Sequence, residues 1–187
     1  MTRPAAIHFT GDADADALLA QEPLALLIGF ALDQQVTVQQ AFSGPLRLKQ
    51  RLGTLDAGAI AATDPGRLED VFRERPAIHR FPGSMARRVQ ELCAQIADEY
   101  DGDAARVWTG AEDGTELRRR IGGLPGFGPM KITALGSVLA KRLGVASAQE
   151  LVPSHPTLGD VDSPEALANY QAKKRAHKAA MRAARSS

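Results

Sequence analysis

A chain of 187 residues with 44% hydrophobic and 24% charged residues is long enough and apolar enough to fold around a core of its own. This composition excludes a disordered protein, a fibrous protein and a small domain held together by disulfides or metal. The net charge of +1 by itself indicates no particular partner.

Apolar periodicity and the positions of proline and glycine predict a mainly α-helical protein. The aromatic content of 5% and the lack of alternating β-branched runs argue against strands. Ser84, Thr115 and Ser163 are predicted N-caps. In chain order, the predicted helices cover residues 13–21, 23–33, 34–42, 45–52, 55–62, 65–72, 84–100, 104–108, 115–121, 129–143 and 164–184.

The helix predicted from Ser84 has one strongly apolar side. Met85, Val89, Leu92 and Ile96 recur along it at intervals of three or four residues, which is the spacing of a core-facing stripe. Cys93 lies on the same side. We therefore expect this cysteine to be a core residue and not a reactive thiol.

Positive charge is concentrated in two segments that contain no acid. Residues 117–142 hold six basic side chains, and residues 171–187 hold six more. Such asymmetry is typical of a protein with one anion-facing surface, and a basic face that contacts only solvent is the alternative. The basic residues of the last segment that we expect to bind an anion are Lys173, Lys174, Arg175 and Lys178.

The segment from Leu124 to Lys131 predicts a tight turn between two helices. Gly126 and Gly128 allow the backbone to bend sharply and leave the amides at the start of the second helix open. These amides and the helix dipole favour a phosphate, and Lys131 adds a charge in the first turn. The alternative is an ordinary turn in which the glycines only allow close contact between the helices.

The sequence Leu-Pro-Gly-Phe-Gly at residues 124–128 resembles the helix-hairpin-helix of the base-excision DNA glycosylases, the HhH-GPD superfamily. Three upstream segments are similar to the family in the same order. They are residues 28–38 with the glutamine pair Gln34-Gln35, residues 60–68, and residues 84–97. The last two look like the 3-methyladenine branch. The resemblance covers about two thirds of the chain, residues 24–144.

The resemblance implies base flipping followed by cleavage of the N-glycosidic bond. It places Gln34 and Gln35 near the DNA-facing groove, where they fill the gap left by the base or orient the opposite strand; helix-capping amides are the alternative. The family's catalytic aspartate follows the hairpin at a spacing that here ends at Ala148, which is not an acid. The nearest acid, Glu150, is the first candidate for that role, followed by Asp160 and then Asp162, and the absence of any catalytic acid stays open.

The resemblance also bears on cofactors and on strand cleavage. Met130 stands where bifunctional members carry a nucleophilic lysine. Lys131 is one residue later, rotated by about 100° around the helix, and is better placed for phosphate contact than for attack on a sugar. Strand-cleaving activity is therefore not expected. A single cysteine cannot bind an iron–sulfur cluster. We expect no metal and no cofactor, except that a monovalent cation at the hairpin stays open.

The aromatic residues that could stack on a flipped base are Trp108, Phe30, Phe42, Phe81 and Phe127. We expect all of them in the core except Phe127, which we expect to be exposed at the hairpin tip together with Gly126 and Gly128. Lesion specificity is not readable from the sequence, because a pocket is lined by distant parts of the chain.

The N-terminal segment carries three aspartates where a signal peptide would be apolar, and no apolar run reaches the roughly 20 residues of a spanning helix. We expect a cytoplasmic, nucleoid-associated monomer with no membrane partner.

The expected fold is all-α and two-lobed, with a helical domain at 1–162, its helix-hairpin-helix at about 115–143, and a basic C-terminal helix at 163–187. The expected function is a monofunctional DNA N-glycosylase acting on a damaged, alkylated base in double-stranded DNA. The alternative is a catalytically inactive module that recognises distorted DNA.

Overall fold

The computed structural model describes residues 3–186, and within them the regular structure consists of ten α-helices and two 3₁₀ turns, without a strand. The predicted all-α class is confirmed. The helices are α1 (Ala13–Gln21), α2 (Pro23–Leu32), α3 (Val38–Leu52), α4 (Ala57–Ala62), α5 (Pro65–Arg73), α6 (Pro82–Glu99), α7 (Arg106–Thr109), α8 (Gly114–Gly122), α9 (Pro129–Lys141) and α10 (Pro164–Arg185), and the 3₁₀ turns are Ala146–Leu151 and Leu158–Asp160.

Two predicted N-caps are wrong. Helix α6 begins at Pro82, before Ser84, because a proline suits the first turn, where its missing N–H has no helical partner. Helix α8 is capped by Asp113 and not by Thr115, since the Asp113 carboxylate accepts the N–H of Glu116 at 2.8 Å. The prediction for α10 is confirmed, because the Ser163 hydroxyl accepts the N–H of Ala166.

The helices predicted at 34–42 and 45–52 are one helix, α3, which continues through Pro45. Thr37 caps its start by accepting the N–H of Gln40 at 3.1 Å. Residues 33–37 are therefore a connection between α2 and α3. Proline removes one helical hydrogen bond, and contacts of α3 with α1, α2 and α5 hold the helix together around it.

The helices form two groups, which agrees with the predicted two-lobed fold. Helices α1 to α6 contact one another and make the first lobe. Helices α7 to α10 and the two 3₁₀ turns contact one another and make the second. The buried apolar residues of both lobes join in one core.

The most apolar helix, α2, lies in this core, with residues 24–32 all buried. Gly29 lets α3 approach closely, because a Cβ there would lie 2.3 Å from the Phe42 ring. Cys93 is fully buried, as predicted, and desolvation raises the pKa of its thiol to about 12. No single helix in residues 3–186 is long and apolar enough to cross a membrane, and the pair α1–α2, which passes that test together, is bent by 113°.

Candidate nucleic-acid interface

The turn between α8 and α9 has the open geometry that its sequence predicts. Gly126 has a φ of +80°, a conformation that favours glycine. Gly128 caps α9 without a side-chain hydrogen bond, and a Cβ built on it would meet nothing within 4 Å. Met130, in the first turn of α9, is 83% exposed. The first amides of α9 therefore face open space, where an anion can approach them.

Lys131 turns inward, away from this open space. Its Nζ donates to the backbone carbonyl of Ala31 on α2 at 3.3 Å, so the side chain bridges the two lobes. Desolvation and the charge of Arg88, opposed by Asp33, lower the pKa of Lys131 to about 8. The sequence did not indicate this inward contact, which the end of α2 provides, and the expected contact of Lys131 with phosphate stays a prediction.

The exposure of two aromatic residues near the turn is the opposite of what the sequence predicts. Phe127 is 4% exposed, because its N–H bonds back to the carbonyl of Leu124 and the ring enters the core. The prediction of an exposed Phe127 is therefore wrong. Phe81, expected in the core, is 41% exposed. Of the remaining candidates, Trp108, Phe30 and Phe42 are buried as expected.

Gln34 and Gln35 are both exposed on the connection that follows α2. Gln34 Oε1 accepts a hydrogen bond of 2.6 Å from Arg88 on α6. The Arg88 side chain in turn lies against Gly126, since a Cβ at that glycine would be 2.9 Å from Arg88 Cδ. Gln35 has a φ of +58°, which is uncommon for a residue with a side chain. Neither glutamine caps a helix, so the capping alternative is wrong.

His79 fixes the loop that carries Phe81. Its Nδ1 accepts the N–H of Phe81 at 3.0 Å, so the ring proton is on Nε2, which donates to the carbonyls of Leu32 and Gln34 at 3.1 and 3.0 Å. Desolvation lowers the pKa of His79 against the opposing effect of these two carbonyls. The neutral ring therefore ties Phe81 to the connection that carries Gln34.

Asp33 ends α2 directly before the glutamine pair and is half-buried. Within residues 3–186 its carboxylate accepts no hydrogen bond and forms no ion pair within 4 Å. Desolvation raises its pKa, and the charges of Lys174 and Lys131 act in the opposite direction. Asp33 is thus a partly desolvated acid between the lobes.

The three acids that the resemblance nominated lie elsewhere. Glu150 is exposed, and its side chain contacts Gly114 at the start of α8, the opposite end of that helix from the turn. Asp160 caps the second 3₁₀ turn by accepting the N–H of Thr157 at 2.8 Å, and it pairs with Lys141. Desolvation opposes the low pKa of Asp160, and these two contacts outweigh it. Asp162 is exposed beside that turn. The catalytic roles of Glu150 and Asp160 stay predictions.

Helix α10 is anchored only near its start. Leu167 is its single buried residue, and Gln171 pairs with Gln39 on α3. Beyond this point the helix is exposed, including Lys173, Lys174, Arg175 and Lys178. These cations carry no acidic partner within 4 Å in the described part of the chain.

The structure therefore brings together the hairpin turn, the glutamine pair and Phe81, which the sequence offered as a stacking candidate but placed in the core. It adds three residues that the sequence did not indicate, namely Asp33, His79 and Arg88. A detectable signal existed for Asp33, since it is a charged residue directly after a nine-residue apolar run. The other two, His79 and Arg88, are single residues whose role depends on contacts across the fold.

A family model confirms the resemblance to the superfamily, without assigning the chain to the 3-methyladenine branch. The model of the HhH-GPD superfamily base excision DNA repair proteins matches residues 28–181, and the chain belongs to this superfamily. No curated protein and no solved structure gives a match. Membership implies that the protein binds DNA in base excision repair, and it agrees with the open hairpin and the basic residues around it.

Proposed function

We propose that the protein is a monofunctional DNA N-glycosylase that flips and excises a damaged, alkylated base from double-stranded DNA, without a cofactor and as a monomer. One observation carries this proposal. The hairpin turn, Arg88, Gln34 and the loop bearing Phe81 form a connected chain of contacts across both lobes.

This surface has the two properties that base flipping requires. Open helix amides and exposed cations hold the phosphate backbone without reading sequence. An exposed aromatic ring and amide side chains can occupy the space of an extruded nucleotide, which offsets the few kcal/mol lost in unstacking. Phe81, Gln34 and Gln35 lie on adjacent connections and supply these groups.

The absence of strand cleavage follows from the two residues at the start of α9. The Met130 side chain carries no nucleophilic group. It is the most exposed large apolar side chain of the described residues. Lys131 is the nearest amine, and its Nζ donates to the Ala31 carbonyl on α2, so it turns away from the open side of the turn where the DNA backbone would lie.

An alkylated base is the proposed substrate because N-alkylation of a purine ring nitrogen leaves a positive charge on the base, so that its release needs no acid to protonate it. The N-glycosidic bond is then already weakened. The main requirement is stabilisation of the positive charge that develops on the sugar.

A base-release screen tests the proposal. Duplexes with alkylated, deaminated or oxidised bases are incubated with the protein, and free base and abasic sites are quantified. The proposal predicts release from alkylated duplexes and no covalent adduct when borohydride is added. If no lesion is excised although distorted duplexes bind, the inactive binding module is the correct description.

A further inference from the structure

Asp33 differs from the other aspartates that hold this fold together. Four of them cap helices by accepting backbone N–H groups: Asp12, Asp56, Asp64 and Asp113. Asp16 accepts N–H groups from the N-terminal segment, and Asp160 caps a 3₁₀ turn. The Asp33 carboxylate has no such structural bond in residues 3–186, although it is half-buried. Its burial disfavours the charged form, and no hydrogen bond offsets this cost.

Parts of both lobes surround Asp33. Lys131 on α9 is bonded to the carbonyl of Ala31, two residues before Asp33. Lys174 on α10 lies close enough to favour its charged form, and Tyr170 on the same helix is half-buried within its field. Gln34, the next residue, is bonded to Arg88 beside the hairpin. The acid therefore lies where the lobes, the hairpin and α10 meet.

We propose that Asp33 is the carboxylate that stabilises the positive charge on the sugar during base release, with Lys131 and Lys174 as positioning residues that keep it ionised. This inference rests on the proposed glycosylase function. The acid then lies at the end of α2, before the hairpin in the chain, whereas the family's spacing points to a residue after the hairpin.

Base release and hydrolysis need only water besides the damaged duplex. The bond between the base nitrogen and C1′ breaks, and its electron pair leaves with the base, so that an alkylated base departs neutral. The cationic sugar left behind lies against the Asp33 carboxylate. Water then forms a bond to C1′, and its proton passes to the carboxylate and on to solvent.

The three candidate acids from the sequence, Glu150, Asp160 and Asp162, suit this task less well than Asp33, because each is either exposed or already bonded. The Asp160 carboxylate is already bonded to Lys141 and to the N–H of Thr157. Glu150 is exposed and lies at the opposite end of α8 from the turn. An exposed acid in water stabilises a cation less than a partly desolvated one.

Single-turnover excision from an alkylated duplex is the first test. Asp33→Asn should slow base release by about 100-fold or more while duplex affinity stays within about threefold. Asp98→Asn, an exposed aspartate near the end of α6, is the matched control and should excise like the wild type. Full excision by Asp33→Asn overturns the inference. If Glu150→Gln or Asp160→Asn instead slows base release about 100-fold, that acid takes the role.

A binding measurement tests the same carboxylate without any turnover. Two duplexes are compared, one with a cationic pyrrolidine in place of the sugar and one with the neutral tetrahydrofuran analogue. The wild type should bind the cationic duplex at least about tenfold more tightly, and Asp33→Asn should lose this preference. A preference without excision of any lesion would refute the glycosylase proposal and leave the cation site standing. Equal binding of both analogues by the wild type would overturn the Asp33 assignment.

Discussion

The side-chain amides of Gln39 and Gln171 bind each other through two reciprocal hydrogen bonds of 3.1 and 2.8 Å. The first residue lies on α3 in the first lobe and the second on α10, which belongs to the second lobe. These two bonds join α10 to the first lobe at the start of its exposed part. The exposed cations that follow, Lys173, Lys174, Arg175 and Lys178, form a basic ridge along this helix.

The first prediction concerns this ridge. Replacing Arg175 and Lys178 with glutamine should reduce the slope of log affinity against log salt by up to about two units, because each phosphate contact releases about one counterion. The comparison uses Lys49→Gln with Arg67→Gln, two exposed cations on α3 and α5. Fluorescence anisotropy across a salt series measures both slopes. Equal slopes in both double variants would mean that the ridge only contacts solvent.

Substitution of the two hairpin glycines should affect protein stability and DNA binding differently. Gly126→Ala puts a Cβ 2.9 Å from Arg88 at a φ of +80°, so we expect a loss of about 1–2 kcal/mol in unfolding free energy. Gly128→Ala meets no atom within 4 Å and should unfold like the wild type. Chemical denaturation measures both values.

DNA binding should respond differently to the two changes. The methyl group of Gly128→Ala stands where a phosphate would approach the first amides of α9, so this variant should bind any duplex more weakly. A Gly128→Ala protein with wild-type affinity would show that the backbone of DNA does not contact this turn.

How much of this site the sequence predicts depends on the range of the contacts. Turn glycines and helix-capping residues contact residues close to them in the chain. The hairpin at Gly126 and Gly128 could therefore be predicted from the sequence. Lys131 bonds to a residue 100 positions away, and Arg88 to one 54 positions away. Their directions are set by how the lobes meet. Local pattern therefore did not predict the inward contact of Lys131, and it wrongly predicted Phe127 to be exposed at the hairpin tip.

Lys131 should lower the free energy of unfolding at neutral pH. Its pKa is lowered from 10.5 to about 8, so the folded state disfavours the charged form. The unfolded chain binds the proton more readily between these pH values, and the free energy of unfolding should rise with pH across that window. Lys131→Met should be more stable than the wild type at pH 7, and this difference should shrink from pH 8 to 10.5.

Denaturant unfolding at several pH values checks this expectation. Lys49→Met, at an exposed position of α3, is the control and should show no such window. A Lys131→Met protein that is less stable than the wild type at pH 7 would mean that the contact with Ala31 outweighs the desolvation of the ammonium.

Phe81 should contribute selectively to damaged DNA. Stacking of an aromatic ring on a base contributes about 1–3 kcal/mol, and it is available only where a base pair has been opened. Phe81→Ala should therefore weaken binding to a duplex with an abasic analogue by at least about fivefold and leave binding to an intact duplex nearly unchanged. Met181→Ala, another exposed apolar side chain, is the matched control. An equal loss on both duplexes would assign Phe81 to general backbone contact.

The mass of a DNA strand before and after incubation tests the central claim most directly. A duplex with one N-alkylated purine is mixed with excess protein, and both strands are weighed by mass spectrometry. Monofunctional glycosylase activity predicts that the damaged strand loses the mass of the free base, gains that of water and stays in one piece. A strand of unchanged mass would contradict the activity, and two shorter fragments would contradict the assignment of Lys131 as a positioning residue.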